Sequence, residues 1–183
     1  MKNKNSYKKK LLIFEIVGFI FNSLAAAGLH FLFEASGKEL FTALFASVNE
    51  SVWEHIKIFT VPYVVWAFIE IFCLKIPFRR FVCSKVFGLY SMVILIPAFF
   101  YTYTGIFGRN IAAVDIISGF LITLLAYYIS FGLITKAPFI ERYYTLCLIL
   151  FAIYCVCTSF FTFAPPKINL FRDPITGTFG IPQ

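Results

Sequence analysis

Residues 111–134 read IAAVDIISGFLITLLAYYISFGLI, a run of 24 residues whose only formal charge is Asp115. As a helix rising ~1.5 Å per residue, such a run covers the ~30 Å hydrocarbon core of a bilayer. Four more runs of this kind lie at about 11–33, 47–74, 81–104 and 142–163, so the chain reads as five spanning helices. Length leaves room for one compact helical domain and no separate soluble one.

Composition agrees. Of 183 residues, 60% are hydrophobic, 20% aromatic (25 Phe) and only 14% charged, whereas soluble domains carry about a quarter charged residues. The net charge of +7 does not indicate nucleic acid, because the basic residues form short clusters flanking apolar runs. Cys73, Cys83, Cys147, Cys155 and Cys157 are odd in number and lie within or beside apolar runs, which argues packing rather than disulfides. Cys155 and Cys157 lack the two-residue spacer of a redox or zinc pair. Lys8-Lys9-Lys10, an apolar run and Ala25-Ala26-Ala27 imitate a cleaved leader, but Glu15 interrupts the run and it continues to Phe33. A retained first helix is expected.

Between the first two spans, Leu40, Phe41, Leu44 and Phe45 share one helical face within 38–46, as a short interfacial helix would have them. The predicted fold is therefore all-α: a polytopic membrane bundle (1–163) followed by an extracytoplasmic tail (164–183). Pro165, Pro166, Pro174, Pro182, Gly177 and Gly180 break any long element in that tail. Its Ile168, Leu170, Phe171, Ile175, Phe179 and Ile181 would be costly in water, so it is expected to fold back as a lid, with Arg172 pairing to an acid.

With the N-terminus cytoplasmic, the inner side holds Lys2, Lys4, Lys8, Lys9, Lys10, Lys75, Arg79, Arg80, Lys85, Lys136 and Arg142, eleven in all. The outer side holds five: Lys38, Lys57, Arg109, Lys167 and Arg172. This positive-inside bias predicts N-in, C-out topology in a bacterial inner membrane. Outside then come both histidines, His30 and His55, and six of the nine acids.

The richest outer stretch is SVNESVWEHIK, 47–57. Ser47-x-x-Glu50 and Ser51-x-x-Glu54 each fit a capping box, and first-turn acids suit the helix dipole. Trp53 reads as a headgroup-depth anchor. Asp115 sits one turn inside an apolar run on a stripe of Ala112, Ser118 and Gly119, where a charge needs a partner: Arg109, Lys167 or Arg172. Gly18, Asn22, Ala25 and Ala26 form a small-residue stripe that should face the bundle. Pro62 and Pro97 each free a carbonyl at similar depth, tolerated where a cavity or polar neighbour compensates. Together these predict an outward polar vestibule. Its candidate catalytic groups are Glu50, Glu54, His55 and Asp115; its candidate ligand contacts are His30, Asn49, Trp53, Arg109, Arg172 and Asp173.

No metal is assigned from spacing: Glu54 and His55 diverge by ~100° on a helix, and neither His-Glu-x-x-His nor Glu-x-x-His occurs. No nucleophile turn, phosphate loop or dinucleotide fingerprint is present either, and no cofactor is named. Glu15 and Glu70, near the inner boundary, are expected to snorkel or to pair with Lys10 and Lys75, or else to pair across helices with Asn22. The indole of Trp66 at mid-span wants an acceptor.

NESVWEHIK (49–57) and LFRDPITGTFG (170–180) resemble a family of uncharacterised small bacterial membrane proteins, typical of Firmicutes, carrying a domain of unknown function. The resemblance implies a bacterial inner-membrane location and a multi-pass fold, and carries no residue roles.

Three functional readings stand at this point. One is an enzyme acting on a lipid or lipid-linked group at the outer leaflet. Another is a solute or ion permease, or its substrate-binding subunit. The third is a non-catalytic partner or sensor whose outer face and tail dock another membrane protein. The partners expected are a lipid bilayer, a lipid or small-molecule ligand, and a membrane protein or a second copy of this chain.

Overall fold

The computed structural model describes residues 2–181, with side chains from residue 5 onward. Pro182 and the side chains of Lys2 and Lys4, used above, lie outside the described residues. Its elements are α1 (Lys2–Ala35), α2 (Leu40–Ala43), α3 (Val52–Cys73), α4 (Phe78–Phe107), α5 (Ala112–Lys136) and α6 (Tyr144–Phe163). Short 3-10 turns cover Pro138–Tyr143 and Asn169–Phe171. Among the described residues, five helices are long and apolar enough to cross a membrane, which marks a membrane protein.

Because the long helices alternate in direction, one end of the bundle gathers residues 36–51, 108–111 and the tail, and the other gathers 74–77 and 137–143. α4 packs against α3, α5 and α6, while α1 packs against α3 and α5. The second long helix starts at Val52 rather than at 47, because 47–51 form a compact loop capped by Ser51. α4 ends on Gly108 at φ 67°, whose N–H donates to the Thr104 carbonyl at 2.8 Å. That left-handed stop suits glycine.

The small-residue stripe of α1 turns inward as expected, with Gly18, Asn22 and Ala26 buried. A Cβ on Gly18 would collide with the Trp66 indole, so the missing side chain lets α3 approach. Trp66 Nε1 then donates to the Phe14 carbonyl at 3.1 Å. Asn22 Nδ2 donates to the Phe59 carbonyl at 3.1 Å, next to the one that Pro62 deprives of its helical donor.

Glu15 and Glu70 neither snorkel nor pair with Lys10, Lys75 or Asn22. Both are buried, and Lys85 of α4 lies between them, its Nζ 2.9 Å from Glu15 Oε2 and 2.6 Å from Glu70 Oε2. Ser130 Oγ donates to Glu15 Oε1 at 2.9 Å. The ammonium also lies over the Tyr63 and Tyr127 rings at 5.5 and 5.4 Å. α4 begins a turn earlier than expected, at Phe78, so Lys85 sits roughly 10 Å into the helix. It is a core ion rather than one of the free basic residues at the inner end.

Candidate functional site

The tail folds back on the bundle at the end where α3 begins. Phe171 packs its ring against Trp53 and Phe161, with centroids 5.0 and 5.1 Å away. Arg172 and Phe179 form an antiparallel bridge. The Asp173 carboxylate accepts from the Ile175 N–H and the Thr176 hydroxyl, both at 2.8 Å, so it builds a turn and does not face a ligand. Asn49 Nδ2 donates to the Gly180 carbonyl at 2.8 Å, and its Oδ1 accepts from Ser51 N at 2.8 Å. Asn49 fastens tail to loop.

Glu54 is also structural. Ser51 Oγ accepts from its N–H at 3.4 Å, completing half of the expected capping box. The carboxylate, however, turns away from Ser51: it accepts from Val48 N at 3.0 Å and pairs with Lys57 Nζ at 2.6 Å. Lys57 donates onward to the Ala43 carbonyl at 2.7 Å and to Thr162 Oγ1 at 3.0 Å. The Ser47 box does not form, since Ser47 Oγ donates to the Asn49 carbonyl at 2.6 Å. Trp53 is buried in the core rather than anchored at an interface.

These locks leave a cavity of about 810 Å³ between α1, α3, α4, α5 and the tail. His30, Glu50, His55, Asn110, Asp115 and Arg172 supply most of its polar rim, and Phe59, Ile96, Phe100 and Phe120 its apolar wall. The whole α5 stripe (Ala112, Asp115, Ser118 and Gly119) lines it, as the sequence suggested. Of the ten candidate residues, His30, Glu50, His55, Asp115 and Arg172 meet here. Asn49, Trp53, Glu54 and Asp173 serve packing, and Arg109 stays exposed away from the lining.

Asp115 does not pair with a cation among the described residues. The Tyr103 hydroxyl of α4 donates to Asp115 Oδ1 and accepts from Ile111 N at 3.1 Å, clipping the end of α4 to the start of α5. Arg172 makes no ion pair among the described residues; it lies along the rim beside Gly177. The expected tail–acid bridge is therefore absent there, and aromatic packing together with the Asn49 bond holds the tail instead.

At the other side of the rim, Glu50 Oε2 lies 3.9 Å from His30 Nε2 and 3.7 Å from His55 Nε2. The two imidazole centroids are 5.5 Å apart. His55 Nδ1 is 2.9 Å from the Ser51 carbonyl, which can only accept, so that nitrogen carries the hydrogen. Its Nε2 is the ring nitrogen on the Glu50 side.

Sequence reasoning missed Tyr103, which carried no signal in a chain with ten tyrosines. It also missed that Glu50 pairs with His55 across a loop-to-helix junction, outside any helical spacing rule.

A helical membrane bundle with an end cavity, polar at the rim and aromatic below, is the class that the fold and site define. The chain belongs to DUF6512, a family of unknown function whose model matches residues 1–181. No curated protein and no solved structure matches it.

Proposed function

We propose that this is a multi-pass protein of the bacterial inner membrane, N-terminus cytoplasmic, whose outward cavity binds an amphipathic ligand from the outer leaflet. The ligand is a lipid or a lipid-linked group. The charge bias supports this orientation even after Lys85 and Lys57 are set aside as buried ions, leaving ten basic residues against four.

The observation that carries the reading is the two-part lining. A volume of about 810 Å³ falls in the range of ligand sites, and its polar groups sit at one rim above an aromatic wall. Phe31 and Ile116, which also line it, are 69% and 54% exposed on the apolar exterior, so the wall runs on to the lipid-facing surface. A headgroup would meet the rim while its chain lay along Phe59, Phe100 and Phe120. The lining stops short of Glu15 and Glu70, so the permease reading lacks a supporting path. An enzyme acting on the bound lipid and a lipid sensor both use this same site.

Lipid extraction and native mass spectrometry of the detergent-purified protein test it. Wild type is expected to retain a lipid that Ser118→Phe, filling the cavity from α5, loses while keeping its helical circular dichroism. Equal lipid in both proteins would remove the cavity from the account.

A further inference from the structure

We propose that His30, Glu50 and His55 form a three-donor site for a divalent transition-metal ion of the zinc class, with one coordination position open toward the cavity. The proposal rests on the cavity being a ligand site only for what fills the open position; metal capture itself does not depend on it.

The donor atoms of the three residues all lie within 4.8 Å of one another. Two zinc bonds of ~2.1 Å at a tetrahedral angle hold their donors about 3.4 Å apart. The observed 3.7 and 3.9 Å between Glu50 and the two imidazoles are too long for hydrogen bonds and close to that span. Without a cation, a lone pair of His55 faces a carboxylate oxygen, which is repulsive unless the ring is protonated.

The supporting shell is built for holding a metal. His55 Nδ1–H donates to the Ser51 carbonyl, the arrangement that fixes the tautomer and aim of ligating imidazoles. Around Glu50, the backbone is tied on every side: Ser47 N–H to the Leu29 carbonyl at 3.2 Å, Val48 N–H to Glu54, Ser51 N–H to Asn49, and Asn49 to the tail. These neighbours are used locally, yet the Glu50 carboxylate points at two histidines on two different helices. His30 has no such support, because its Nδ1 is buried without a partner. It is the weaker donor of the pair.

Three protein donors with a free position resemble catalytic rather than closed structural metal sites. The bound ion would present its open face to an anionic oxygen of the headgroup, with Arg172 and Asn110 on the same rim.

The test uses the 183-residue protein purified on a histidine-free tag and stripped with EDTA. The chain has only two histidines, so any imidazole-bound metal must be here. Titration with Co²⁺ should give one equivalent with the visible bands of a low-coordinate site, displaced by Zn²⁺. His55→Ala and Glu50→Gln should weaken affinity by more than the roughly 10- to 100-fold that outer-shell changes cost, and His30→Ala by less than either. Glu34→Gln, an exposed acid paired with Lys38, should leave it unchanged. In wild type, Zn²⁺ should protect both histidines from diethylpyrocarbonate, a readout that needs no variant to fold. No Co²⁺ bands, or histidines modified equally with and without Zn²⁺, would overturn the proposal. Lipid retained by EDTA-stripped protein would leave the cavity reading standing in that event, whereas metal bound without lipid would do the reverse.

Discussion

Lys57 and Glu54, one turn apart on α3, meet at 2.6 Å with side chains only 0% and 3% exposed. An ion pair so completely enclosed contributes by being balanced rather than by being strong, since each charge was stripped of water to get there. Lys57→Met should therefore cost about 3–5 kcal/mol by stranding the carboxylate. The double variant Glu54→Gln/Lys57→Met should recover much of that loss. Thermal unfolding in detergent compares them, and a double variant as unstable as Lys57→Met would contradict this account.

The Glu15–Lys85–Glu70 cluster gives a different ranking. One ammonium serves two carboxyl groups, so removing it leaves two like groups facing each other in a low-dielectric interior. Lys85→Met should destabilise more than any other single change here, by at least about 3–5 kcal/mol. Glu70→Gln, which leaves a one-to-one pair with Glu15, should cost far less. The two melting temperatures, measured side by side, decide it.

Two glycines of α1 make a matched pair. A Cβ at Gly28 meets nothing within 4 Å, whereas one at Gly18 strikes Trp66 and Tyr127. Gly28→Ala should stabilise the helix by roughly 0.5–1 kcal/mol, and Gly18→Ala should destabilise by about 1–3 kcal/mol. Similar melting shifts for both would show that α1 does not pack as described.

Truncation after Ala164 removes Phe171 from the Trp53 ring and the Gly180 carbonyl from Asn49. The expected result is a red-shifted Trp53 emission and faster proteolysis in 36–51. Trp66 should be substituted by Phe beforehand so that one fluorophore reports. An unchanged spectrum would mean that the tail does not cover this ring.

Hydropathy was enough to find the five long apolar helices, and the inward turn of Gly18 and Asn22 was legible in their spacing. Partners were not. A period of 3.6 residues assigns a face but neither depth nor the neighbour across it. Asp115 was expected to need a cation and found the hydroxyl of Tyr103, one of many aromatics with no distinguishing context. Lys85 was counted with the inner-side basic residues, although it lay inside its expected span, and its two acid partners on other helices left no trace in the spacing. Glu54 matched a capping motif through its N–H while its carboxylate took a different task. The candidate site was recognised as a neighbourhood, with four of its ten named residues serving as braces instead.

Asn49 and Gly180 are 131 positions apart, yet their bond helps fix the loop that aims Glu50. During synthesis every long helix is complete before residue 180 leaves the ribosome. The rim must then stay unfinished while the long helices are made, and it gains this bond only once residue 180 arrives. A bundle assembled without residues 164–181 would keep its long helices but lose the brace on the loop that carries Glu50.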